Sequence, residues 1–194
     1  MEEDREIHAS SIGACVAGLK AVQPIVFVPQ EAIEYGQSSL DSLFPRESWS
    51  KEVDLAQLSL IYPYQIYQGD KAKIILENVE RHLLRTNGVI RYQGDSYYSK
   101  LEKDYGRHQD RTFYYGTEAE WTFGLPWLSL CYQVLNDDNR STFYLSRTKE
   151  AMLEEAILPE AYFAETKEPN PNTPLGWSSA MYILAEEKRG YASA

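Results

Sequence analysis

Two short stretches carry the residue types that chemistry on a polar substrate requires. In "GVIRYQGDSYYSK", Gly88 to Lys100, an arginine and an aspartate stand four apart across a Gln-Gly pair. Gly94 permits a turn there, so the side chains of Arg91 and Asp95 can converge on one point. Arginine offers only donors and an ionised aspartate only acceptors, which together suit sugar hydroxyls. The same pair also reads as an exposed ion pair in a turn, worth about 0–1 kcal/mol. In "ILPEAYFAETKEPNPNTPLGW", Glu160 follows a proline that ends one helix and leads into a loop rich in Pro and Asn. A carboxylate on a rigid loop beside Tyr162 and Phe163 suits a general base held near apolar walls. An ordinary solvated glutamate is the other reading. Trp121, Trp127 and Trp177 read as core residues, or as the lip of a cleft where an indole stacks on a sugar ring.

Other chemistries have less support. Cys15 and Cys131 lie in apolar helical runs without CxxC or CxxH spacing and read as two buried free thiols, with a disulfide as the alternative. His8, His82 and His108 share no ligand-like spacing, so no metal is expected. No GxGxxG or GxxxxGK[ST] string occurs, and no cofactor is expected. The net charge of −10, with lysines and arginines scattered, argues against a nucleic-acid partner. No apolar run approaches the ~18 residues that a membrane span needs. The opening "MEEDREIHAS" is acidic and has no apolar segment, so it does not read as a secretory signal. The expectation is a cytoplasmic protein.

Helices must position these residues. At 43% hydrophobic, the 194 residues support one domain over 1–194 with a real core. "SSIGACVAGLKAV" places Ile12, Cys15, Val16 and Leu19 on one face, with Ser10 or Ser11 as N-cap. Pro29 suits the first turn of a second helix through Ile33 and Leu40, and "EVDLAQLSLIYP" offers a third that stops at Pro63. "GDKAKIILENVERHLL" has Asp70 as N-cap. "AEWTFGLPWLSLCYQVL" is apolar almost all round and reads as a buried helix with Pro126 in its first turn. "STFYLSRTKEAMLEEAI" and "PLGWSSAMYILAEEK", with Pro174 as N1, bring the total to about seven helices and no convincing strand. "IVFVPQ" is bracketed by prolines and reads as a connector. Loops over 85–118 and 158–173 are long, which in a compact domain usually marks function.

Taken in order, these strings resemble the C-terminal half of the catalytic domain of glycoside hydrolase family 15, the glucoamylase-type family. "RYQGDSYY" is similar to its RYPxDxYY, with Arg91 and Asp95 in register, and "GLPW" (Gly124 to Trp127) to its GNPW. "LPE" with "PLGWSSA" is similar to the segment that carries the catalytic base and to the PLxWSxA helix after it. "EAEW" and "EIHASSIGA" resemble strings of the related α and β subunits of phosphorylase kinase. The resemblance implies an all-α fold, an (α/α)6 toroid of the six-hairpin glycosidase type, of which this chain supplies an incomplete ring.

It also implies exo-acting, inverting hydrolysis of α-glucans or maltooligosaccharides. Carried over by position, Glu160 is the base, Arg91 and Asp95 clamp the cleaved glucose, and Trp127 walls the pocket. The general acid of the family lies in a WEE-type string, here "MEE". Glu2 matches the acid, with Glu3 beside it on the substrate-binding side. The partner that completes the ring is then a missing N-terminal half or another copy of the chain. The alternative is a non-catalytic glucan-binding or regulatory module like the phosphorylase kinase subunits.

Overall fold

The computed structural model describes residues 6–106 and 109–192. Seven α-helices and three 3-10 helices account for the regular structure among the described residues, with a two-stranded ladder. Four segments form a row: α1 (Ala9–Val22), the 3-10 helix Leu55–Leu60, α5 (Gly124–Val134) and α7 (Gly176–Ala192), each packed on the next. A second layer backs this row. Helix α2 (Gln30–Leu43) lies on α1, α3 (Gly69–Leu83) on the 3-10 helix, and α6 (Asp138–Glu150) on α5. The short α4 (Lys100–Tyr105) sits inside the first long loop. No helix among the described residues is long and apolar enough to cross a membrane.

Helix α5 shows why the row holds. All of Gly124 to Tyr132 is buried, Pro126 stands in its first turn, and Leu128 and Cys131 join one core with Leu58, Ile61, Leu83 and Val89. A helix apolar on every side can only sit between other elements. Helix α3 buries one stripe, Ala72, Ile75, Leu76, Val79 and Leu83, and turns Ile74 outward.

Several local expectations are corrected. The segment Leu55–Leu60 is a 3-10 helix, started by a capping box in which Asp54 accepts from Ala56 N and Gln57 accepts from Asp54 N. Gln68, not Asp70, is the N-cap of α3. Pro29 caps α2 from outside, α6 starts at Asp138 under the Asp137 side chain, and α7 begins at Gly176, two residues past Pro174. Cys15 is exposed, whereas Cys131 is buried, and both are free thiols.

Ser10 and Ser11 do not cap α1. The helix starts after His8, and its first N–H groups are met by a distant residue. Ala9 N donates to the Glu47 carbonyl (2.8 Å), and Ser10 donates to the Glu47 carboxylate from its backbone N (3.2 Å) and its hydroxyl (2.6 Å). A negative group at a helix N-terminus is favourable. Glu47 is 1% exposed, however. Burial pushes its carboxyl up to about 8 from an ordinary 4.5; the Ser10 bonds pull down, and the nearby Asp54 charge pushes up. Around the pair α1–α2, Phe27 in the connector is 90% exposed, and Trp49, 81% exposed, lines a groove of about 1070 Å³ between the helices and the segment after α2.

A raised carboxyl pKa means that the folded state prefers the protonated form. Its stabilising contribution is full below about 4.5 and is lost as pH rises towards 8. Glu47→Gln keeps an acceptor for Ser10 and abolishes that titration. Urea unfolding at pH 5 and pH 8 should show a smaller loss of stability for Glu47→Gln than for wild type. Equal losses would mean that Glu47 does not titrate in this window.

Candidate functional site

A two-residue strand brings the two chemical stretches together. Strand β1 (Glu120–Trp121) pairs antiparallel with β2 (Ala161–Tyr162), Glu120 opposite Tyr162 and Trp121 opposite Ala161. On its other side Trp121 exchanges both backbone hydrogen bonds with Val89 (3.0 Å each). Thr122 N donates to the Glu160 carbonyl at 3.1 Å. The loop that leads into Arg91 and the loop that carries Glu160 therefore flank one strand.

Buried carboxylates lock this arrangement. Glu120 accepts from Asn87 N (2.6 Å) through one oxygen and from Glu165 N (2.8 Å) through the other. Glu118 accepts from Gly94 N at 2.7 Å. Gly94 stands at φ +81°, where a Cβ would come within 2.6 Å of the Arg111 carbonyl oxygen, so the turn requires glycine.

Arg91 and Asp95 converge on each other. Arg91 Nε and Nη2 both donate to Asp95 at 2.6 Å, and Tyr97 N donates to the same carboxylate at 3.1 Å. Asp95 is 0% exposed, while a third of the Arg91 side chain reaches solvent. Burial works against the arginine's charge, but the Asp95 bonds and charge outweigh it and hold its proton more firmly than usual. The guanidinium lies over the rings of Trp121 (5.1 Å) and Tyr97 (5.2 Å). Of the pair, Arg91 faces outward and Asp95 holds it flat.

Glu160 stands on the other side of Tyr97. It is 8% exposed. Its Oε2 accepts from Asn170 Nδ2 (2.5 Å), Asn172 Nδ2 (2.9 Å) and the Tyr97 hydroxyl (3.3 Å). Asn172 Nδ2 also donates to the Tyr97 hydroxyl at 3.1 Å. Burial, then the Glu160 charge, raises the pKa of that hydroxyl, so Tyr97 remains a donor at neutral pH. Oε1 of Glu160 accepts nothing from the described residues. One oxygen is anchored and the other is open to a water or a substrate hydroxyl.

Trp127 lies further off. Its Nε1 donates to the Tyr62 carbonyl at 2.7 Å, and it lines a groove of about 660 Å³ with Ser10, Ser11, Trp177 and Met181. A run of rings connects it to the site: Tyr97 on Trp121 (5.3 Å), Trp121 to Phe123 (5.5 Å), Phe123 to Trp127 (5.9 Å) and stacked on Trp177 (4.2 Å). Glu2 and Glu3 fall outside the described residues, as does His108. No cluster of three or more possible metal ligands occurs among the described residues. Composition and spacing alone do not single out Tyr97, Asn170 or Asn172. The doubled Pro-Asn of "EPNPNTP" was a usable signal, since prolines fix a loop and asparagines supply donors.

This geometry belongs to a known class of fold. The solved structure of a glycosidase superposes with a TM-score of 0.72 over 95% of this chain and 52% of that one, at 17% identity. The fold is all-α and of the toroid type, glycosidase-like in its helical hairpins. In sequence, the chain is 26% identical over 93% of its length to the probable phosphorylase b kinase regulatory subunit alpha of Caenorhabditis elegans, covering 18% of that protein. It is 26% identical over 94% of its length to the uncharacterized glycosyl hydrolase MJ1610 of Methanocaldococcus jannaschii, covering 32%. The chain thus spans less than a third of the curated relatives it matches. No protein-family profile matches it.

Removing Arg91 would leave Asp95 buried without its counter-charge, a loss of about 3 kcal/mol or more. Arg91→Ala should therefore lower the urea midpoint well beyond an ordinary surface change. Adding Asp95→Ala should recover part of it. A double variant as unstable as the sum of the singles would disprove the pairing.

Proposed function

We propose that residues 1–194 form one unit, the C-terminal part of a glucoamylase-like glycoside hydrolase that acts on α-glucans. The observation that carries this reading is Glu160. Its one anchored oxygen leaves the other available to take a proton from water, and Arg91 faces the same aromatic floor of Tyr97 and Trp121. In this reading Arg91, held by Asp95, binds hydroxyls of the cleaved glucose. Trp127 walls the adjoining groove. Inversion needs a second carboxyl group about 6.5–9.5 Å from the base, with water between them. Glu2 fills the role of acid, with Glu3 beside it, once an N-terminal half completes the ring. The similarity to a glycosidase fold and to a glycosyl hydrolase supports the class of activity.

The similarity to phosphorylase kinase regulatory subunits supports a second reading, a glucan-binding or regulatory module of the same fold. The "EAEW" string, shared with those subunits by resemblance, suits it; Glu118 and Glu120 hold the loops of Arg91 and Glu160, which either reading needs.

Glucose release from maltooligosaccharides separates the two. The chain alone should release little. Co-expressed with a matching N-terminal half it should turn over, and Glu160→Gln should cut release by about 10²-fold or more with glucan binding intact. Turnover unaffected by Glu160→Gln would remove Glu160 as the base. No turnover in the completed protein, with binding retained, would favour the regulatory module.

A further inference from the structure

The segment after α2 touches two parts of the molecule at once. On one side it holds the chain that leads into α1. Ser50 donates to the Glu6 carboxylate twice, from its backbone N to Oε2 (3.0 Å) and from its hydroxyl to Oε1. Glu47, on the same segment, binds Ala9 and Ser10. Two carboxylates, one from each side of this crossing, therefore fix residues 6–10 against residues 47–50. The Ser50 hydroxyl holds the Glu6 carboxyl down to about 2, so Glu6 stays ionised at neutral pH and acts only as an acceptor.

On its other side the segment grips the Arg91 turn. Arg111 Nη1 donates to the Ser50 hydroxyl at 3.3 Å. The Lys51 ammonium and the Arg111 guanidinium lie by the Tyr92 ring, at 3.8 and 5.8 Å from its centre. Leu55 N donates to the Arg91 carbonyl at 2.7 Å. Between these contacts the segment braces itself. Ser48 N donates to the Lys51 carbonyl (3.0 Å), and Lys51 N donates to the Ser48 hydroxyl (3.1 Å). Ser50 thus stands in one hydrogen-bonded line from Glu6 to Arg111, whose backbone packs against Gly94 in the Arg91 turn. This line bears on the acid of the proposed reaction. Glu2 stands four residues before Glu6 in the sequence. Four residues reach at most about 14 Å, so an anchor at Glu6 limits where a carboxyl group carried there can go. Groups that take part in catalysis must be held to within about 0.5 Å, which a free chain end does not achieve.

We infer that Ser50 and Glu6 are positioning residues for the general acid: their bond ties the chain before α1 to the Arg91 turn, so that acid and site keep one spacing. The inference rests on the glycosidase reading, with Glu2 as the acid.

The test compares two substrates, maltotriose and α-glucosyl fluoride, in the protein completed by its N-terminal half. With the fluoride, water adds at C1 as the C–F bond breaks, fluoride leaves with the electron pair, and Glu160 takes the water proton. That step needs the base but no acid, because fluoride departs without a proton. Ser50→Ala and Glu6→Ala should each lower kcat on maltotriose about tenfold or more, with KM and fluoride turnover changed by less than about twofold. Ser50→Thr, which keeps the hydroxyl, should restore kcat. Equal loss on both substrates, or no loss on maltotriose, overturns the positioning role. Glu160→Gln tests the underlying reading separately, since it should lower turnover of both substrates. Fluoride turnover that survives Glu160→Gln removes Glu160 as the base, whatever Ser50 does. No turnover of either substrate removes the reading and the inference with it. A second measurement uses residues 1–194 alone. In amide NMR spectra, Glu6→Ala should shift Ser50 and, through Arg111, residues 92–94. Shifts that stop at Ser50 overturn the line from Glu6 to the turn.

Discussion

The site depends on one buried carboxylate. Glu120, 1% exposed, spans two backbone N–H groups that belong to different loops, Asn87 before the Arg91 turn and Glu165 after Glu160. An ionised carboxylate out of water is costly unless its oxygens are satisfied. Here each oxygen has a donor at 2.6–2.8 Å, and those donors are the loops themselves. Satisfying the two oxygens thus sets the loop spacing. The ladder that Trp121 makes with Val89 and Ala161 repeats the constraint through the backbone. Glu118 extends it to the Gly94 turn, so two carboxylates that hydrogen-bond to neither Arg91 nor Glu160 help to position both.

The helical layer around this centre answers a simpler demand. Apolar stripes must be covered, and α5 is covered on every side by the 3-10 helix, α6 and α7. At the α1–α2 end the demand is met less fully. Ile12 and Leu19 are half-buried, while Cys15, Val22, Ile25 and Phe27 stand in solvent. The N-terminus of α1 is nevertheless held, because Glu47 reaches it from the segment after α2. The end of the layer that is poorest in apolar cover is tied by polar contacts instead.

How much of this is legible in the sequence follows from the range of each interaction. Periodicity reports burial along one helix, and it located α1, α3 and α5, but it ran the sixth helix on to Ile157, past its end at Glu150, and so started the second long loop too late. It misread Leu55–Leu60, where the Asp54–Gln57 box starts a helix that the same box suits at either pitch. It also missed both strands, since two residues are too few for an alternation to show. The cap of α1 was invisible because its donor and acceptor are 37 residues apart. Arg91 and Asp95 could be paired from a spacing of four, and the string resemblance pointed to Glu160. Of the donors to Glu160, Asn170 and Asn172 lie in the adjacent loop, but Tyr97 is 63 residues away and leaves no local signal.

The amide side chains around Glu160 have a consequence for direction. Rotation of its carboxylate to exchange the two oxygens would break the bonds from Asn170, Asn172 and Tyr97 together. The two oxygen positions, equivalent in free glutamate, are therefore distinct here. A donor from outside the protein meets Oε1, the oxygen that no described residue bonds. That asymmetry is written in a pair of neutral amides and a phenol, while the carboxyl group itself has none.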